Sequence, residues 1–109
     1  MDIIPSSKFL REFKKLKKKY PSIFNDVDQL TESLQENPTM GKPLGRDCYK
    51  VRMAISSKNQ GKSGGARVIT CVKSVDDTLY LLSIYDKSEQ ENIPDDEIDA
   101  VLKSLGLLP

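Results

Sequence analysis

Apolar residues recur at helical spacing in two successive stretches near the start of the chain. Phe9, Leu10, Phe13 and Leu16 follow Ser6-Ser7, a pair suited to an N-cap, which predicts an amphipathic helix over residues 7–19 that Pro21 ends. Ile23, Val27, Leu30 and Leu34 repeat the pattern almost at once and stop at Asn37-Pro38, so a second helix follows and the two form an antiparallel hairpin. The apolar stripe of that hairpin needs a surface to cover.

The period then changes from 3.6 to 2. Tyr49, Val51, Met53 and Ile55 alternate with Lys50, Arg52, Ala54 and Ser56, which puts one side of a strand in a core and a basic pair on the other. Residues 66–73 are β-branched and short, and 79–85 form a third strand, joined through Ser74-Val75-Asp76-Asp77, a four-residue hairpin signal. Pro94-Asp95-Asp96-Glu97 opens a last helix, carried on by Ile98, Val101, Leu102 and Leu105 until Gly106. The expected fold is α+β: a helical hairpin packed on a small antiparallel meander, with a C-terminal helix. At 109 residues, 1–109 reads as one domain with one modest core.

Charge changes the picture through its distribution. Seventeen basic and sixteen acidic residues nearly cancel, yet Lys8 to Lys19 hold seven basic residues and one acid, while every charge from Glu89 to Asp99 is acidic. One surface is thus expected to attract polar anions and the acidic segment to solubilise the chain or bind a partner. The five lysines Lys14, Lys15, Lys17, Lys18 and Lys19 fill the positions between apolar ones, which fits a solvated helix face and equally a face turned to RNA or the ribosome. No apolar run approaches a membrane span and Met1 to Pro5 form no signal segment, so a cytoplasmic protein without membrane contact is expected. Cys48 and Cys71 are too few for a disulfide scaffold and read as reduced packing residues. With no histidine in the chain, acid-base chemistry falls to Lys, Arg, Tyr or carboxylates.

The stretch "SSKNQGKSGGARVI", residues 56–69, contains Gly61-Lys62-Ser63, the end of a phosphate-cradling G-x-x-x-x-G-K-[ST] loop. The first glycine of that motif is replaced by Ser56, and a strand rather than a helix follows Gly64-Gly65, so no nucleotide-binding helix N-terminus is expected. The loop reads as a flexible connection between strands. Lys58, Lys62 and Arg67 bracket it beside Lys50 and Arg52, and five cations around one strand pair suit a nucleic-acid backbone, with Lys58 and Lys62 as RNA contacts.

Asp47-Cys48-Tyr49-Lys50-Val51-Arg52, the strand opening Arg67-Val68-Ile69, the segment Leu81 to Lys87, and the hairpin end "ENPTMGKPLGRDCYKVR" together resemble toxins of the RelE/ParE superfamily, over residues 8 to about 104. The glycine-rich, lysine-bearing loop resembles the branch with RelE- and HigB-like members. The resemblance implies a toxin of a type II toxin-antitoxin system, held in check by a cognate antitoxin. It further implies an endoribonuclease that cuts mRNA in the ribosomal 30S A site without a metal or other cofactor, and DNA contact only through the antitoxin complex. Carried onto this chain, the family's basic pair falls on Lys50 and Arg52, its second-strand arginine on Arg67, and its post-strand basic residue on Lys87.

Cleavage requires a proton to leave the ribose 2′-OH, negative charge to build on the phosphate, and a proton to reach the 5′-oxygen. Clustered cations meet the second need. A lysine crowded by cations loses its proton more readily, which makes Lys50 the candidate base, with Arg52 and Arg67 on the phosphate and Lys87 near the leaving group. The resemblance departs at one place: RelE has a tyrosine beyond its last strand where this chain has Ile93, and the nearest tyrosine, Tyr85, is either a substitute acid or stacking surface or a core aromatic. A ParE-like toxin that inhibits gyrase, and a member without activity that only binds its antitoxin, are the competing readings.

Overall fold

The structure is a computed structural model that describes residues 1–59 and 61–108. Helix α1 spans Ser7–Lys19 and α2 Ile23–Glu36, joined by Tyr20-Pro21-Ser22. Strands β3 (Cys48–Met53), β4 (Ala66–Lys73) and β5 (Thr78–Asp86) form the expected antiparallel meander, and α3 (Asp95–Ser104) closes the chain. Two further strands, β1 (Asp2–Pro5) and β2 (Lys42–Gly45), extend the sheet to five in the order β1-β5-β4-β3-β2. Strand β1 runs parallel to β5, so the sheet is mixed rather than a pure meander. Both added strands are four residues long, contain a proline and sit at the edges, where a missing N–H is tolerated. Their shortness hides any period of two.

Ser6 caps α1: its hydroxyl accepts from the Phe9 N–H at 3.0 Å and donates to the Leu82 carbonyl at 2.9 Å, tying the helix start to β5. Phe9, Leu16, Ile23, Leu30 and Leu34 of the helices bury against Val51, Met53, Val68, Leu79, Leu81 and Ile84 on one sheet face. The single acid of the lysine-rich stretch has a structural task. A bulge interrupts β4–β5 pairing after Ile69 and Ser83, and Glu12 Oε1 accepts from the Ser83 hydroxyl at 2.8 Å and the Ile84 N–H at 3.3 Å, groups beside the interruption. The five lysines are exposed along α1.

The opposite sheet face is covered only in part. Helix α3 packs Ile98, Val101 and Leu102 with Ile93 over Cys48, Ile69, Cys71, Leu82 and Tyr85. Cys48 and Cys71 face each other across β3–β4 as free, buried thiols that both donate to the Arg46 carbonyl; the neighbouring Cys71 thiol and burial push the Cys48 thiol up. Acids of the 89–99 segment form ion pairs with the rest of the chain while staying exposed: Arg46 bonds Asp99 and Asp95, Lys8 pairs with Glu97, and Lys19 with Glu89. Arg46 and Asp47 form the two-residue turn between β2 and β3 with φ of 57° and 62°, left-handed at both positions as such a turn requires. No helix among the described residues is long and apolar enough to cross a membrane.

Candidate functional site

Alternation along β3 sends Val51 and Met53 to the helical core and Lys50 and Arg52 to the other face; on β4 it sends Arg67 to that same face. Helix α3 covers the Cys48 end of this face. What remains open is a cleft of about 520 Å³ lined by Gly41, Lys42, Lys50, Arg52, Arg67, Lys87, Glu91 and Asn92. Four of the residues expected from the sequence, Lys50, Arg52, Arg67 and Lys87, are therefore brought to one place from three segments.

Arg67 is the centre of the arrangement. It is 5% exposed and lies directly opposite Arg52 in the strand register, a like-charge pair that repels unless an anion sits between. Its guanidinium donates to the carbonyls of Lys62 (3.0 Å), Ala66 (3.1 Å) and Ser63 (3.3 Å), and among the described residues it has no carboxylate partner. Burial, and then the charge of Arg52, pull its pKa down. A buried cation neutralised by no carboxylate is costly, and a bound phosphate would relieve that cost. Lys50 donates to Asn92 Oδ1 at 3.1 Å, at the open side of the cleft. Lys87 side chain is exposed while its N–H is fixed to the Gly65 carbonyl at 3.1 Å.

Other expected residues lie elsewhere. Tyr85 is 4% exposed, lies opposite Arg67 on β5 and packs with α3; its hydroxyl is buried without a hydrogen-bond partner among the described residues, and burial pushes its pKa up. That is the position of a core aromatic, and Tyr85 is not among the residues that line the cleft. Ile93 is buried in the same cluster, so no tyrosine replaces it there. Lys58, expected to contact RNA, is only 10% exposed at its side chain and points to the helical side, where it donates to Asp86 at 2.7 Å, the Gly64 carbonyl at 3.1 Å and the Ser88 hydroxyl at 3.4 Å. Those three acceptors occupy its three N–H bonds, so Lys58 is engaged within the chain and does not line the cleft. Lys62 is exposed and lines a smaller hollow with Arg52, on the α2 side of the cleft.

The glycine-rich loop is anchored rather than free. Asp26 of α2 accepts from the Ser22 hydroxyl, the Ser56 N–H and the Ser56 hydroxyl at 2.7, 3.0 and 2.6 Å, holding the loop start. At its end, a Cβ on Gly65 would stand 2.1 Å from the Met53 carbonyl oxygen, so this glycine serves a close backbone approach. Gln60 of the quoted stretch lies outside the described residues.

The sequence reading passed over Gly41, Lys42, Glu91 and Asn92. Lys42 pairs with Lys50 in the β2–β3 register, and Gly41 approaches the Lys50 carbonyl so closely that a Cβ would lie 2.6 Å away. Only the presence of lysine in "MGKPLG" hinted at this. Glu91 and Asn92 sit in a segment whose acids suggested solvation alone. Among the described residues no three Cys, Asp or Glu side chains come together in a way that could hold a metal ion.

Comparison with known proteins places this geometry. The chain superposes on a double mutant of the E. coli toxin RelE in the free state with a TM-score of 0.62 at 20% identity, covering 94% of this chain and 95% of that one. It likewise matches the isolated E. coli RelE toxin with a TM-score of 0.61 at 18% identity, covering 94% and 96%. At such identities these likenesses establish the fold. None of the curated proteins compared with the chain matches it. The sequence model of the RelE toxin of the RelE/RelB toxin-antitoxin system matches residues 6–106, which takes in both helices, all strands but β1 and the C-terminal helix, and on that extent the chain belongs to the RelE toxin family.

Proposed function

We propose that this toxin is an endoribonuclease that cuts mRNA on the ribosome and so blocks translation in the cytoplasm, until a cognate antitoxin binds it. The observation that carries the reading is the cleft: Lys50, Arg52, Arg67 and Lys87 converge there, and the Arg67 guanidinium is buried without a carboxylate partner among the described residues. Such a site favours a phosphodiester whose charge is rising. Arg52 and Arg67, opposite each other, are assigned to the two non-bridging oxygens as the 2′-oxygen attacks, and Lys87, on the same cleft wall, is assigned to give the departing 5′-oxygen its proton. Lys50 is assigned the base that takes the 2′-OH proton; Asn92 orients its amine. Glu91, a carboxylate on the same wall, serves as the comparison for that assignment.

Antitoxin binding has its own surfaces. The free edges of β1 and β2 can accept an added strand, and an apolar groove of about 560 Å³ between β1, α1 and α2, with Leu10 and Phe13 on its wall, can take the apolar face of a helix.

The test is induction in growing cells and addition of the purified chain to a translating extract, with primer extension along a reporter mRNA. Cuts within codons are expected, and K50A/R67A should abolish them. A larger loss in E91Q than in K50A would move the base to Glu91. Growth arrest with intact mRNA and DNA damage would instead indicate gyrase as target, and absence of both effects a toxin without activity.

A further inference from the structure

Asp86 closes β5 and is almost fully buried, with no exposed side-chain surface. It stands on the helical side of the sheet, since it alternates with Tyr85 and pairs with Ala66, a core residue of that side. Its carboxylate receives the Lys58 ammonium at 2.7 Å and the Tyr20 hydroxyl at 2.5 Å. It also accepts from the Ser88 N–H at 2.9 Å and the Ser88 hydroxyl at 2.7 Å. Three segments thus meet on one carboxylate: the end of α1, the β3–β4 loop and the chain just past β5.

None of these groups lines the cleft, yet Asp86 and Ser88 flank Lys87 in the chain, and Lys58 and Tyr20 are joined to them by hydrogen bonds. Lys58 also donates to the Gly64 carbonyl, so its ammonium bridges the loop between its first turn and its last residues. The stretch so closed, Lys62 to Gly65, supplies two of the three carbonyls that hold the Arg67 guanidinium. Gly65 in turn accepts the Lys87 N–H, and Lys87 lies between Asp86 and Ser88 in the chain.

We propose that Asp86 and Lys58 are positioning residues for the cleft: their ion pair fixes the β3–β4 loop so that its carbonyls aim Arg67, and fixes the end of β5 so that Lys87 faces the same phosphate. The reading of its effect on turnover rests on the proposed RNA cleavage; its effect on Arg67 does not. The pair works from behind the sheet. Burial opposes ionisation of Asp86, and the bonds from Lys58, Tyr20 and Ser88 more than offset it, holding the carboxyl well below the usual range. The clamp is therefore closed throughout the physiological range.

The distinguishing experiment uses the full chain with both charges removed together, Lys58→Met with Asp86→Asn, so that no single buried charge is orphaned. Two quantities are read. The first is exchange of the Arg67 side-chain N–H by NMR, expected to quicken about tenfold or more as the loop carbonyls lose their fixed place. The second is cleavage of a reporter mRNA, where kcat should fall about 10- to 100-fold from misplacement of the cations. KM and its salt dependence should stay near those of the unmodified chain, because neither residue touches RNA. Lys58→Arg, which keeps the charge, should recover most of the rate. Unchanged Arg67 exchange together with unchanged kcat overturns the proposal. So does a rise in KM with a salt slope lower by about 0.7, the mark of one lost phosphate contact. If the double variant does not fold, Ser88→Ala removes one bond to Asp86 and one from Lys58 without touching a charge, and the same readouts should move in the same direction by about 2- to 5-fold. Should the unmodified chain cut no RNA, the proposed function falls while Arg67 exchange still decides the clamp.

Discussion

Replacing Arg67 by methionine separates what the residue does for the fold from what it does for the site. Methionine is unbranched and apolar, so much of the buried volume that the arginine stem occupies stays filled. Three hydrogen bonds from a charged donor are lost, each worth about 1.5–3 kcal/mol when the partners stay dry. The carbonyls of Lys62 and Ser63, however, belong to exposed residues and can bind water instead. Against the loss stands the removal of a buried cation with no carboxylate partner among the described residues, whose desolvation costs several kcal/mol, and of its repulsion with Arg52. The two sides nearly cancel. We expect the unfolding free energy of R67M to stay within about 1 kcal/mol of the unmodified chain or to rise, which for this size is a Tm change of no more than about 4–8 °C. Cleavage should fall about 10²- to 10³-fold, the loss typical of removing one preorganised donor to developing negative charge. Urea unfolding followed by circular dichroism and primer-extension assays of cut mRNA give the two numbers. A stability loss well above 2 kcal/mol would mean that the guanidinium is chiefly a structural strut, and full activity would remove it from the site.

Other substitutions probe individual placements within the structure. Tyr85→Phe deletes a buried hydroxyl that has no partner among the described residues, so stability should be unchanged or raised by about 1 kcal/mol, and cleavage should persist; lost cleavage would make Tyr85 the acid. Gly65→Ala forces a methyl to within 2.1 Å of the Met53 carbonyl, so β3 and β4 must separate, and a loss of about 2–4 kcal/mol is expected in urea unfolding; an unchanged midpoint would show that the loop can swing away. The depressed folded-state pKa of Asp86 sets a sign for pH dependence: its stabilisation is complete above the unfolded aspartate value near about 4 and is lost as pH falls through the folded value. The urea midpoint measured from pH 6 to 2 should therefore drop less steeply in K58M/D86N than in the unmodified chain, and parallel curves would show that the pair does not contribute. Asp26→Ala leaves three donors at Ser22 and Ser56 without their acceptor and should cost about 1–3 kcal/mol by the same measurement.

The elements that could be read from the sequence are those with enough residues to show a period. Helices α1 and α2 display three or four apolar repeats each, and β3 alternates over a full strand, so their kinds and faces follow from local pattern. Strands β1 and β2 do not, because four residues containing a proline carry too little periodic signal; only pairing with β5 and β3 makes them strands. The cationic cleft was legible for a related reason: Lys50 and Arg52 alternate with core residues, and strand geometry alone sends them to one side. That Arg67 joins them depends on the β3–β4 register, which opposes it to Arg52.

Lysine chemistry shows where local reading stops. Lys58 and Lys62 look alike in the sequence, four residues apart in one glycine-rich loop, yet one is locked onto a buried carboxylate 28 residues away and the other is exposed. Tyr85 likewise looks available as an acid until α3 is laid over it. By itself, then, the sequence determined the secondary structure of its long periodic segments, the class of the fold and the side of β3 that bears cations, since these depend on spacing within one segment. The tertiary structure alone decided which cations remain free, which are spent on ion pairs, and which carbonyls hold Arg67, since each of those outcomes rests on residues that only folding brings together.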